Sequence, residues 1–446
     1  MIWLLELIFI LFLVVAFYVQ KKDFISPSVV FCACYVISIA CAIYNIENWS
    51  IELGWKTFWV LIVGAVEFIF IDFIISRFFN KKKKDREKHQ AKKQIIEIKT
   101  WKIVLIITYE LLALTLLVFT VLKIADEFGT YNSYGEAIKI FKDHTSYSAD
   151  TFLPTYVSIL IKPIEVLAYI FIYVIIHNFF NSEDNIRKKI KQNLVLLAPI
   201  LLFMLRYLLV SNRGSILQWL VASVIMLIIA WYEAQDWKKT IPKKYIFRTV
   251  IIVIIIAPIF YLSGFMLKRN ITVGAVDYIT MYAGGSIANL DSYLKRDDNP
   301  HSEIVGIETF SSLSRRLYQI GLIKTDKTPT VHLGWRYVNG RNLGNVYTSY
   351  RRWINDFGYI GMFILNAIEA AFFSVIYNLL KHKRIKNKIP IIIYSYLFYT
   401  LVLHSVDSVF YNTVFSIGFM MFLAFLFAGY CFIIKRTTIK PNVTEK

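Results

Sequence analysis

Long apolar runs alternate with short polar segments along almost the whole chain, at about 2–20, 27–46, 55–79, 102–123, 155–180, 193–210, 214–232, 248–268, 353–380, 389–408 and 411–434. Runs of about 20 apolar residues have the length of a helix that crosses the hydrocarbon layer. The pattern therefore predicts an all-α polytopic membrane protein with about 11 transmembrane helices, occupying residues 1–446 as one integral membrane domain. It breaks once on a large scale, in the polar stretch 268–352 between the eighth and ninth spans, and once on a smaller scale at 124–154. Inside the large stretch, Val276 to Leu294 carries apolar residues at helical spacing interrupted by Gly284-Gly285, which predicts a helix on the membrane surface or over a cavity.

Composition sharpens the class. With 57% hydrophobic and only 18% charged residues, the chain lies outside the usual range of soluble domains. The net charge of +19 would suggest a nucleic-acid partner in a soluble protein. Here 31 of the 50 Lys and Arg fall in the segments 20–26, 77–102, 181–193, 233–248, 381–389 and 435–446, which alternate with the other connections. By the positive-inside rule these segments are cytoplasmic, so the charge reports topology and no nucleic acid is expected. The N-terminus is then outside and the C-terminus cytoplasmic, 80–101 is a basic cytoplasmic loop suited to anionic membrane lipids, and the loops 124–154 and 268–352 are extracytoplasmic. Lys21 and Lys22 follow the first run rather than precede it, which marks a span and not a cleaved signal. Cys32, Cys34, Cys41 and Cys431 all lie within spans, so neither a disulfide framework nor a zinc site is expected. There is no phosphate-loop or dinucleotide fingerprint, hence no nucleotide cofactor.

Ionisable residues inside spans carry the chemistry, because each costs about 2.5–3.5 kcal/mol at mid-helix unless it meets a cavity or a partner. Arg206 lies about one turn below the outer end of the sixth span, and Arg213 opens the seventh after the link Ser211-Asn212. Arg351 and Arg352 stand at the entry to the ninth. Three of these four arginines begin helices, where the macrodipole disfavours cations. Helix N-termini and guanidinium forks both bind phosphate, so the four arginines predict a site for an anionic, phosphate-bearing partner, with Arg352 held by Asp356 four residues on; the resemblance described below makes that partner a diphosphate. Snorkelling to lipid headgroups is the plainer alternative. His404 and Asp407 share a helix face near the outer end of the tenth span and are the first candidates for a general base, with Glu165 and Asp291 as rivals. Glu165 and Lys162 flank Pro163 and read equally as a self-neutralising pair. Glu67, Asp72, Glu110 and Glu369 lie deeper and read as packing or pathway residues.

On these residues the chain resembles the Wzy-type oligosaccharide repeat-unit polymerases of O-antigen and capsular polysaccharide synthesis. The resemblance rests on Arg206 with Ser211-Asn212-Arg213-Gly214 between two spans, and on Asn345-Val346-Tyr347, Arg351, Asp356-Phe357-Gly358-Tyr359 and Gly361 at the later one. It implies a GT-C-like glycosyltransferase of the bacterial cytoplasmic membrane that takes undecaprenyl-diphosphate-linked oligosaccharide as donor and acceptor, with no metal and no cofactor. It further implies glycan contacts from Tyr347, Tyr350, Trp353 and Arg341, and a chain-length regulator and a flippase as candidate partners. An O-antigen-type ligase would use the same donor chemistry. A lipid-linked oligosaccharide flippase would instead show two related halves and a compact exterior, and this sequence has neither.

Overall fold

The apolar runs become helices because their backbone groups have no other partner in hydrocarbon. In the computed structural model the described residues are 1–81, 94–147, 151, 153–242, 274–296, 302–325, 332–382, 387–435 and 439–441. The helices are α1 (Ile2–Val19), α2 (Pro27–Tyr44), α3 (Trp55–Lys81), α4 (Thr100–Phe128), α5 (Tyr134–Lys142), α6 (Thr155–Asn181), α7 (Ile186–Asn193), α8 (Ala198–Leu209), α9 (Arg213–Ala234), α10 (Ala275–Leu294), α11 (Ser311–Gln319), α12 (Thr348–Lys381), α13 (Ile389–Val402), α14 (Phe410–Val414) and α15 (Ile417–Tyr430). Among the described residues nine helices are long and apolar enough to cross a membrane, which makes this an all-α multi-pass membrane protein. The span expected at 248–268 lies outside the described residues. The most apolar part of α6 is 67% buried and that of α1 only 22%, so α6 is central while α1 turns Trp3, Leu7 and Leu11 outward, as a lipid-facing helix does.

Two expected spans differ from the sequence pattern. Helix α13 stops at Val402, and 403–406 form a turn that leads into a parallel bridge between Asp407 and Thr348. Helix α12 is two helices broken at Gly358, whose φ of 68° and ψ of −172° lie where a side chain is strongly disfavoured. Tyr350 and Asn366, eight residues either side of that glycine, meet at 3.5 Å through the Tyr350 hydroxyl and Asn366 Oδ1. In a continuous helix they would be about 24 Å apart. The arm 348–357 therefore folds back along the span 359–381. Apolar runs did not reveal this, because Trp353, Ile354 and Phe357 in the arm read as the start of the span.

The large loop packs onto and into one end of the bundle, here called the loop face. Helix α10 is buried from Gly284 to Asp291, so it covers the bundle instead of floating beside it. Gly284 and Gly285 make that approach possible: a Cβ on Gly284 would meet the Ala42 backbone at 2.6 Å, and one on Gly285 the Leu343 carbonyl at 2.7 Å. Asn45 donates to Thr280 Oγ1 at 2.9 Å, which ties α10 to the end of α2. A hairpin of β1 (Arg336–Val338) and β2 (Arg341–Gly344) lies against α10. At the opposite end Asp23 accepts hydrogen bonds from Tyr232, Tyr377 and Lys381, which fastens the link before α2 to α9 and α12.

Candidate functional site

The α8–α9 hairpin brings Arg206 and Arg213 to the loop face, as the sequence predicts. Around Arg206, three donors converge on one carboxylate oxygen: Lys162 Nζ at 2.9 Å, the Tyr207 hydroxyl at 2.9 Å and, at ion-pair distance, Arg206 Nη1 at 3.6 Å from Glu165 Oε2. The Arg206 guanidinium lies 4.6 Å from the centre of the Tyr207 ring, and Lys162 also faces Phe422. Two cations thus share one carboxylate, and buried Arg206 Nη1 has no hydrogen-bond partner. Buried donors are almost always satisfied, so this Nη1, 3.6 Å from Glu165 Oε2, keeps capacity for a closer acceptor. Arg213 is buried and donates from Nη2 to the Tyr278 hydroxyl of α10 at 3.0 Å.

Arg351 and Arg352 are in a different electrostatic state. Arg352 makes a two-pronged pair with Asp407, Nε to Oδ1 at 2.9 Å and Nη2 to Oδ2 at 3.1 Å, and donates from Nη1 to the Glu308 carbonyl at 3.2 Å. The expected partner Asp356 is instead filled by donors of the large loop, Ser302 Oγ at 2.5 Å and the Thr309 amide at 2.6 Å. Arg351 pairs with Glu308 and lies over the rings of Tyr293 and Tyr347, at 4.8 and 5.6 Å. The cations at this helix N-terminus are therefore compensated locally: each arginine of the arm has its own carboxylate.

The four base candidates separate. His404 is not on a helix face with Asp407, since α13 ends before it. It is fully buried, hydrogen-bonded through Nδ1 to the Tyr35 hydroxyl at 3.1 Å and ringed by Phe31, Tyr350 and Trp353 at centroid distances of 4.9 to 5.4 Å. Tyr35 lies near the middle of α2, so His404 sits deep in the bundle and not at the loop-face boundary. Tyr350 and Trp353 are equally buried and form its cage, which removes both from the expected glycan contacts. Asp291 accepts from the Gly54 amide and Thr57 Oγ1, each at 2.7 Å, and pairs with Lys295, so it caps the start of α3. Glu165 is held by the two cations and Tyr207. Asp407 keeps 24% of its side chain exposed despite Arg352, and Arg341 and half-buried Tyr347 remain near the surface.

Four residues that pattern reading did not single out complete the loop face. Lys142 of α5 donates to the Ser211 carbonyl at 2.7 Å, and Arg315 of α11 to the Thr145 carbonyl at 3.3 Å, so the first loop is wedged between the α8–α9 hairpin and the large loop. Glu308 is the partner of Arg351. His332 is exposed to solvent, yet enclosure by the surrounding protein holds its imidazole below the usual value, opposed by Asp407 and reinforced by Arg352, Lys142 and Arg315. Near it Trp335 and Tyr337 expose 48% and 64% of their surfaces, aromatic faces open to a ligand where Tyr350 and Trp353 are closed. No spacing announces His332, because only the fold brings it to Asp407. Among the described residues no group of three or more His, Cys, Asp or Glu side chains is placed to hold a metal ion. Comparison with protein-family models, with curated proteins and with solved structures found no match.

Proposed function

We propose that this protein polymerises undecaprenyl-diphosphate-linked oligosaccharide repeat units into O-antigen, capsular or exopolysaccharide at the outer face of the bacterial cytoplasmic membrane. The proposal includes an eleven-span, GT-C-like arrangement with the N-terminus outside, the C-terminus cytoplasmic and the loop face extracytoplasmic. The observation that carries it is the uncompensated buried charge where Lys162 and Arg206 share Glu165, beside Arg213 at the start of α9. An excess of cations at the membrane boundary suits a diphosphate whose lipid tail stays in hydrocarbon. Arg351 and Arg352, already paired, would organise the cleft instead of carrying the leaving group.

In this reading the acceptor hydroxyl attacks the anomeric carbon of the donor glycan. The carbon–oxygen bond to diphosphate breaks, undecaprenyl diphosphate departs with the electron pair, and the hydroxyl proton passes to a base. His332 fits that role better than His404: it is accessible, it is held neutral, and Asp407 is placed to stabilise its protonated form. Lys162, Arg206 and Arg213 would stabilise the charge that develops on the diphosphate. Trp335 and Tyr337 offer faces to the sugar rings.

Labelling of single cysteines should find residues 302–325 reactive from outside and Lys99 only after permeabilisation, and deletion of the gene should leave single lipid-linked repeats but no long polymer. Unchanged long-chain polymer in the deletion strain would remove the polymerase reading. The base has its own signature. Because His332 must be neutral to act and its pKa is lowered, turnover should be full above the usual imidazole range and fall only as the pH drops below about 6.5. His332→Gln should cost about 10²-fold or more in turnover and flatten that acidic limb. An unaltered limb in His332→Gln would place the base elsewhere.

A further inference from the structure

At the end of the bundle opposite the loop face, α7 is a short helix that buries none of its side chains. Asn185 caps it by accepting a hydrogen bond from the Lys188 amide at 3.0 Å. Through a 3₁₀ turn at Leu194–Leu197 it runs on into α8, and together they form one of the apolar helices long enough to cross a membrane. One side of α7 is tied to α6. Lys189 Nζ donates to the Phe179 carbonyl at 2.9 Å and lies 5.2 Å from the centre of the Phe179 ring. Asn193, four residues on, accepts from Asn178 Nδ2 at 3.5 Å. Arg187, Ile190, Lys191 and Leu194 are turned away from this side, and all four are exposed. Ile186, Ile190, Leu194 and, in α8, Leu201 each leave more than half of their surface uncovered, so an apolar stripe runs from α7 into the span. Large apolar side chains left uncovered along a span face lipid.

Charge is laid along the same stripe. Four of the eight residues of α7 are basic and none is acidic. Two of the four are engaged within the chain, Lys189 as above and Lys188 with Asp184 at 2.8 Å. Arg187 and Lys191 make no hydrogen bond or ion pair with any described residue. Four residues apart, they are neighbours on the helix surface, on the side that carries Ile190 and Leu194. Two cations at the head of an apolar stripe match the layout of a phospholipid, a phosphate above hydrocarbon chains. A choline headgroup brings its own cation, so the pair favours a lipid with net negative charge.

We propose that Arg187 and Lys191 hold the phosphate of an anionic phospholipid whose acyl chains lie along Leu194 and Leu201, in the leaflet opposite the loop face. This site is independent of the glycosyltransferase reading, since its residues lie at the other end of the bundle. The test uses the purified full chain, delipidated in nonionic detergent at about 150 mM salt, where diffuse charge effects are screened. It is titrated with phosphatidylglycerol or with phosphatidylcholine of the same acyl chains, and the tightest-bound lipid is followed by native mass spectrometry. Phosphatidylglycerol should bind about 30-fold more tightly, the worth of two basic residues at a membrane surface. Arg187→Gln combined with Lys191→Gln should remove that preference, whereas Arg187→Lys combined with Lys191→Arg should keep it. Lys238 and Lys239, exposed at the same end of the bundle, provide the control, because changing both to Gln removes equal charge and should leave the preference intact. Inorganic phosphate at the lipid's concentration should not displace the lipid, since it brings no chains to the stripe. Equal affinity for the two lipids would overturn the proposal, as would a preference that survives in the Arg187→Gln, Lys191→Gln protein. A preference lost equally in the control would reduce it to a diffuse charge effect, and displacement by inorganic phosphate would make the ligand a free anion; either result overturns it.

Discussion

Arg206→Ala is expected to reduce glycan transfer by about 10²- to 10³-fold, the size seen when one preorganised stabiliser of developing charge is removed. The charge count at Glu165 explains why. Lys162 and Arg206 together against one carboxylate leave a surplus of one positive charge, and either Arg206→Ala or Lys162→Ala reduces that surplus to zero while the remaining pair stays neutral. Both variants should therefore fold, which makes activity the informative readout. Lys162→Ala should be milder, about tenfold, the worth of one charge-assisted hydrogen bond of about 1.5 kcal/mol. Arg206→Lys keeps the charge but loses the planar fork, so it should resemble Arg206→Ala if the contact to diphosphate is two-pronged. Glu165→Gln moves the other way, raising the surplus to two. It should lower stability yet leave donor affinity intact or tighter, whereas a general base at Glu165 would make the same change abolish turnover. Steady-state transfer with a purified lipid-linked repeat separates the outcomes. Normal activity in both alanine variants would empty the diphosphate site of its argument.

How far the sequence carried depends on the range of the interaction concerned. Spans are written in local hydropathy, and the helices α1 to α4, α6, α8 and α9 follow it closely. The turn Ser211-Asn212 also shows at short range, and so Arg206 and Arg213 are found together where they were expected. What failed was every inference that needed the chain to continue straight. His404 and Asp407 share a face only if α13 runs on past Val402, and Arg351 and Arg352 stand at the mouth of a span only if Gly358 is helical. Neither condition holds, because the arm 348–357 finds better partners by folding back. Asp407 then pairs with Arg352, 55 residues away, and Tyr350 packs against His404. Such long-range pairs leave no periodic trace in one sequence, and the role proposed for His332 rests wholly on them.

The pair that holds this arm should also be the most costly to break. Arg352 is 2% exposed, and its guanidinium is the link between the arm, the Asp407 bridge and the Glu308 carbonyl. Around it the Thr348 amide donates to the Val406 carbonyl, the Ser349 amide to the His404 carbonyl, and Trp353 Nε1 to Ser408 Oγ at 2.9 Å. Asp407→Asn leaves a charged guanidinium buried without its counter-ion, for which about 3–5 kcal/mol is expected. Arg352→Met leaves Asp407 unpaired, but with a quarter of its side chain in contact with solvent the carboxylate can be hydrated, so about 2 kcal/mol is expected. The two single variants should therefore be unequal, and the double variant should be more stable than Asp407→Asn alone, since no buried charge remains. Thermal midpoints of the four proteins in one detergent close the cycle and give the coupling directly. Equal and small losses in both single variants would mean that the backbone contacts at Thr348 and Ser349 hold the arm without the ion pair. Arg352 would then be free to serve the ligand instead of the fold.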